Sequence, residues 1–103
     1  MKVDHNSKRL AGSKVLITGA TSGLGFSISI ALAQEGAEVI AVGRDKNRLE
    51  DLSDAIEQIT GSVTLVCIDL AKQGTIEELS TRISENFGEL QGIIHCAMSS
   101  LQM

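Results

Sequence analysis

The chain predicts an α/β fold: a doubly wound parallel sheet, partial, with four strands in the order 3-2-1-4 and three helices. Strand-like apolar runs alternate with longer stretches whose apolar residues recur at helical spacing, the pattern of βαβ units. Ten glycines and no proline suit strands and helices joined by glycine-containing turns. A loop carrying Gly19, Gly23 and Gly25 separates the first strand from the first helix.

Residues 14–18 read as the first strand. Residues 23–34 read as a helix whose heavy apolar loading (Leu24, Phe26, Ile28, Ile30, Leu32) predicts burial on several sides. Gly36 follows in the favoured place for a left-handed cap. Residues 37–42 form a second strand, almost continuously apolar, as expected of a strand covered on both faces. Asp45 is placed to cap a second helix over residues 46–60, with Leu49, Leu52, Ile56 and Ile59 on one face and Gly61 ending it. Residues 63–68 give a third strand. Thr75 to Glu78 has the spacing of a capping box. The helix it opens presents Ile76, Leu79, Ile83 and Phe87 at helical intervals, and Gly88 closes it. Residues 92–97 are the fourth strand. Residues 1–12 are expected to form an N-terminal arm, and residues 13–103 one domain.

Composition narrows the function classes. The 103 residues suit one domain, and a hydrophobic content of 43% supports a core. With 2% aromatic residues and no Trp or Tyr, that core must be aliphatic. A net charge of −4 argues against a nucleic-acid partner. Lys8, Arg9 and Lys14 are scattered and read as solvated surface. No apolar stretch is long enough for a membrane span, and residues 1–7 lack the apolar core of a signal peptide. The two cysteines, Cys67 and Cys96, both fall in strand patterns and are expected to be buried, reduced and inert. With His5 and His95 they are too few for a metal site, and the cytoplasm is the expected compartment.

The segment Thr18-Gly19-Ala20-Thr21-Ser22-Gly23-Leu24-Gly25 carries the functional signal. It joins the buried run Val15-Leu16-Ile17 to a helix whose first N–H groups and dipole favour negative charge. This reads as a pyrophosphate cradle of the Rossmann type, in its TGxxxGxG variant. Gly19 allows the tight turn, Gly23 lets the diphosphate approach the backbone, and Gly25 permits close helix–strand packing. A P-loop is excluded, because no Lys-Ser or Lys-Thr pair follows the glycines. Thr18, Thr21 and Ser22 offer hydroxyls, which turn geometry alone also explains.

The octapeptide resembles the cofactor loop of the short-chain dehydrogenase/reductase family, and the resemblance extends from residue 11 to the last residues. It implies a nicotinamide dinucleotide cofactor. Arg44, immediately after the second strand, stands where NADP-preferring members place a basic residue, so NADP is expected, with NAD as the alternative. Asp45 beside it is explained as a helix cap. Asp69, after the third strand, matches the aspartate that bonds the adenine amino group, and the backbone of Leu70 would contact the ring. The fourth strand ends Ile94-His95-Cys96-Ala97-Met98 where the family usually shows Asn-Asn-Ala-Gly. Ala97 matches outright; Met98 departs, since its side chain would crowd the cofactor ribose. The cofactor-binding set is thus Gly19, Thr21, Ser22, Gly23, Leu24, Gly25, Arg44, Asp69, Leu70 and Ala97.

No catalytic residue is assigned. The family's chemistry uses a serine, a tyrosine and a lysine beyond its fourth strand; this chain has no tyrosine, and Ser99 and Ser100 lie too near that strand. His95 is disfavoured as a base because nothing nearby would orient it. The expectation is the cofactor-binding half of an oxidoreductase that moves a hydride between NADP(H) and a carbonyl or alcohol. A small-molecule substrate belongs only to a longer form, and the assembly is a homo-oligomer. The alternative is a non-catalytic nucleotide-binding or interaction module.

Overall fold

The computed structural model describes residues 9–96. Its elements run β1 (Lys14–Thr18), α1 (Gly23–Gln34), β2 (Glu38–Gly43), α2 (Lys46–Gln58), β3 (Ser62–Cys67), α3 (Thr75–Asn86) and β4 (Gly92–His95). The strands form one parallel sheet in the expected order, β3-β2-β1-β4. Winding reverses between β1 and β4, which sends α1 and α2 to one face and α3 to the other.

Strand periodicity divides the core accordingly. Val15, Ile17, Val39 and Ala41 meet Ala33 of α1 and Leu49, Leu52 and Ile56 of α2. Leu16, Ile40, Val42 and Val66 meet Leu79 and Ile83 of α3. β2, the central strand, is buried from Val39 to Gly43 on both faces. Leu49, Leu52 and Ile56 are at most 1% exposed, and each such side chain contributes about 1.5–3 kcal/mol by leaving water.

α1 departs from the expected burial on several sides. Its buried residues are the small ones, Gly25, Ser29 and Ala33, one turn apart; Phe26, Ile28, Ile30 and Leu32 are half-buried and Leu24 is 66% exposed. Small residues let the helix backbone settle close to the sheet. The Ser29 hydroxyl is satisfied within the helix, donating to Gly25 O at 2.8 Å.

The helix ends are defined by hydrogen bonds. α1 closes with Gly36 N–H donating to Ala33 O (3.0 Å) and Ala37 N–H to Leu32 O (3.1 Å), with Gly36 at φ +94°. This is a Schellman cap. α2 has the same pattern one residue earlier than expected. Thr60 N–H donates to Glu57 O and Gly61 N–H to Ile56 O, so Thr60, not Gly61, takes the left-handed position at φ +55°. Gly61 serves space instead, since a Cβ there would lie 2.7 Å from Ile56 Cγ2. At the other end, Asp45 caps α2 as expected, accepting from Arg48 N–H at 3.1 Å.

The capping box expected at Thr75 is absent. Gly74, at φ +85°, is the N-cap, and Thr75 is already helical; its hydroxyl turns back to the carbonyls of Asp69 (2.9 Å) and Lys72 (2.7 Å). Of the predicted apolar face, Leu79 and Ile83 are buried and Phe87 is half-buried. Ile76 is 64% exposed, because it lies beyond the reach of the sheet in the first turn. Two surface assignments also change. Cys67, expected buried, is exposed at the end of edge strand β3, whereas Cys96 is buried. Lys14 is not a solvated cation, because its ammonium donates to Phe87 O at 2.8 Å, at the carbonyl end of α3. Of the expected arm, residues 1–8 lie outside the described residues, and Leu10 is tied down by donating its N–H to Glu35 O at 2.7 Å.

Candidate cofactor site

The carboxyl ends of the four strands open into a cleft of about 250 Å³ at the point where the winding reverses. Its walls come from Thr18, Gly19 and Thr21 after β1, from Gly43 and Arg44 at the end of β2, from Ile68 to Ala71 after β3, and from His95 and Cys96 at β4. Open parallel sheets bind ligands at this position.

The glycine loop is shaped by close backbone approach. Gly19 has φ +69°, and a Cβ on it would collide with the Cys96 carbonyl oxygen, so the loop presses against the end of β4. A Cβ on Gly25 would collide with the Gly19 carbonyl, which sets α1 hard against its own loop. Gly23 is different: a Cβ there would meet nothing within 4 Å, so its backbone borders open space. Ser22 is the N-cap of α1. Its hydroxyl accepts from Gly25 N–H at 3.0 Å and donates to Gly19 O at 2.8 Å, while Phe26 N–H donates to Ser22 O at 2.8 Å. The N–H groups of Gly23 and Leu24 remain in the first turn, where no intrahelical acceptor exists. That turn carries no acidic side chain, so nothing within it compensates the positive end of the helix dipole.

Of the expected residues, Gly19, Thr21, Arg44, Asp69 and Leu70 line the cleft, and Ser22, Gly23, Leu24 and Gly25 form the turn beside it. Ala97 lies outside the described residues, as does Met98. Arg44 is exposed at the mouth, directly after Gly43. One Asp69 oxygen accepts from Ala71 N–H at 3.0 Å, holding the turn; among the described residues the other has no partner. Val42, Ile68 and Leu70 supply apolar wall. The donors, the cation and the apolar wall fit a dinucleotide: N–H groups for a diphosphate, a guanidinium for a further phosphate, and a carboxylate beside an apolar surface for a purine.

Gly43 and His95 are among the lining residues outside the expected set. Gly43 must be small, because a Cβ would stand 2.8 Å from Thr21 Cγ2; a glycine ending a buried strand is its sequence signal. His95 lines the cleft and is oriented after all, with its Nδ1 2.5 Å from Thr18 Oγ1. Only the pairing of β1 with β4 reveals that contact. Among the described residues no cluster of His, Cys, Asp or Glu is able to hold a metal ion.

Comparison with known proteins agrees with this geometry. The family model described as short chain dehydrogenase matches residues 13–101. A fatty acyl-CoA reductase of Acinetobacter baylyi is 34% identical over 95 residues, covering 92% of this chain and 32% of its own length. A 3beta-hydroxysteroid dehydrogenase of Mediterraneibacter gnavus is 35% identical over 83 residues, covering 81% of this chain and 30% of its own. The chain thus spans about a third of the length of the curated relatives it matches. Among solved structures, L-sorbose reductase from Gluconobacter frateurii, complexed with NADPH and L-sorbose, superposes with a TM-score of 0.79 at 26% identity. That alignment covers 90% of this chain and 36% of the reductase. With a matched family model running across nearly the whole described sheet, the chain belongs to the short chain dehydrogenase family.

Proposed function

We propose that this chain binds a nicotinamide dinucleotide, NADP in preference to NAD, as the cofactor-binding part of an oxidoreductase acting on a carbonyl or alcohol. The observation that carries this is the start of α1. A helix terminus with unpartnered N–H groups and no acidic residue in its first turn opens at the reversal point of the sheet, beside a glycine whose backbone borders open space. In this reading the N–H groups of Gly23 and Leu24 take the diphosphate, while Gly19, Ser22 and Gly25 hold the turn that presents them. Thr21 and Gly43 keep the floor narrow. Asp69 and the Leu70 backbone take the adenine, and Arg44 pairs with the 2′-phosphate that distinguishes NADP. The bound nicotinamide supplies the hydride; the residues of this chain bind and orient it.

The domain in this reading runs from residue 13 to residue 103. The substrate, a homo-oligomeric assembly and a cytoplasmic location belong to the same proposal for the longer protein. Among the described residues, no helix is long and apolar enough to cross a membrane.

Titration of NADPH and NADH against the protein, followed by nicotinamide fluorescence, tests the reading. NADPH is expected to bind more tightly, and Arg44→Ala to narrow the difference by about 10-fold, the effect of one charge-assisted phosphate contact. Equal affinities before the substitution would remove the role given to Arg44. A second reading is a nucleotide-binding module without chemistry of its own. The intact mass of the natural gene product separates the two: a mass matching 10.9 kDa supports the module.

A further inference from the structure

The last paired residues of β1 and β4 are Thr18 and His95, on the two strands between which the winding reverses. Thr18 is 7% exposed, whereas His95 is exposed and forms part of the cleft wall. Thr18 Oγ1 and His95 Nδ1 lie 2.5 Å apart, with donor and acceptor set by the imidazole tautomer; donation by the hydroxyl satisfies the proton of a buried group. Donation to Nδ1 leaves the ring's own proton on Nε2. A protonated ring would reverse the bond with Thr18 and still carry the Nε2 proton. In either form the imidazole presents a donor, oriented by a residue that solvent barely reaches. The backbone reinforces it, since Cys96 N–H donates to Thr18 O at 3.0 Å.

We propose that His95 is a cofactor-contacting residue that donates its Nε2–H to a ribose or phosphate oxygen of the bound dinucleotide, with Thr18 as the positioning residue that fixes its tautomer. This rests on the dinucleotide reading above. Among the described residues, the β4 side of the cleft otherwise has little to offer an oxygen-rich ligand. Cys96 is buried, and its N–H is already taken by Thr18. Arg44 follows β2, on the opposite flank of β1, so His95 and Arg44 grip the ligand from two sides of the central loop.

Nitrogen NMR of the full chain labelled at its two histidines, His5 and His95, combined with NADPH titration, tests the proposal. His95→Phe assigns the signals and removes the donor. The free protein is expected to show His95 with bare Nδ1 and protonated Nε2, and NADPH is expected to move the Nε2 resonance. His95→Phe should weaken NADPH binding about 5- to 20-fold, the range for one lost hydrogen bond to an anionic or ribose oxygen. His95→Gln, which keeps a donor, should recover part of the loss. Thr18→Val should shift the tautomer balance and weaken binding about 2- to 5-fold, and adding it to His95→Phe should weaken binding no further. An unmoved Nε2 resonance with full affinity in His95→Phe overturns the proposal and leaves the dinucleotide reading standing. A wild-type protein that binds neither NADPH nor NADH overturns both. Additive losses in the double variant overturn the role of Thr18, and should Thr18→Val not fold, the wild-type resonance and His95→Phe decide.

Discussion

A methyl group added at Gly25 would meet the carbonyl of Gly19, whereas one added at Gly23 would meet nothing within 4 Å. The two glycines stand one residue apart and answer to different demands, the first to the protein's own backbone and the second to whatever occupies the cleft. Gly25→Ala is therefore expected to destabilise the protein by about 2–4 kcal/mol, read as a fall in the urea midpoint. Gly23→Val is expected to leave that midpoint within about 0.5 kcal/mol of wild type and to abolish NADPH binding. A Gly23→Val protein that still binds NADPH would remove the diphosphate from this turn. The spacing of these glycines was plain in the sequence, as was Asp45 as a cap. The orientation of His95 was not, because its partner Thr18 is 77 residues away and becomes a neighbour only across the β1–β4 ladder. Cys67 is exposed because it ends β3, the edge strand that the order 3-2-1-4 already implies, whereas strand composition alone reads it as buried.

At the scale of elements, α1 and α2 end in the same Schellman geometry with different residues in its left-handed position, Gly36 in one and Thr60 in the other. A β-branched residue at positive φ is disfavoured by the contact of its Cβ with the backbone. Thr60→Gly relieves that contact but loosens the unfolded chain, and the net is an expected gain of about 0.5–1 kcal/mol. A urea midpoint raised at unchanged slope would show it. The bounds of β1 and α1 were legible to the residue, because a glycine loop and a glycine cap bracket them. The start of α3 was not. Thr75 and Glu78 have capping-box spacing, but the Thr75 hydroxyl is drawn to the carbonyls of the preceding turn, and Gly74 starts the helix instead. Between α1 and α2, the Arg48 guanidinium lies 4.4 Å from the centre of the Phe26 ring, covering a half-buried aromatic that the apolar loading of α1 alone reads as buried.

On the scale of the whole molecule, the order of the strands follows from the alternation of elements and the right hand of their crossovers, which is why it was legible without the structure. The same order places β3 and β4 at the margins of the sheet. Among the described residues β4 pairs only with β1, and Ile93 on it is 67% exposed. An apolar residue on a strand with one open edge invites another strand. The 103-residue polypeptide expressed by itself is expected to self-associate, and Ile93→Lys to shift it toward monomer in sedimentation; an unchanged distribution would locate the contact elsewhere. The opposite end of β4 has the larger consequence. Lys14 N–H donates to the Gln91 side-chain oxygen at 2.7 Å, Gln91 N–H donates to Lys14 O at 2.9 Å, and the Lys14 ammonium holds the end of α3. These three bonds meter the chain as it enters β4, and at the far end of the ladder that metering delivers His95 opposite Thr18. Were the strand to enter one residue early or late, Ile93 and Ile94 would trade faces and Thr18 would meet Ile94 or Cys96 instead of an imidazole. The composition of the cleft wall is thus decided at the floor of the sheet, by a lysine and a glutamine that do not line the cleft.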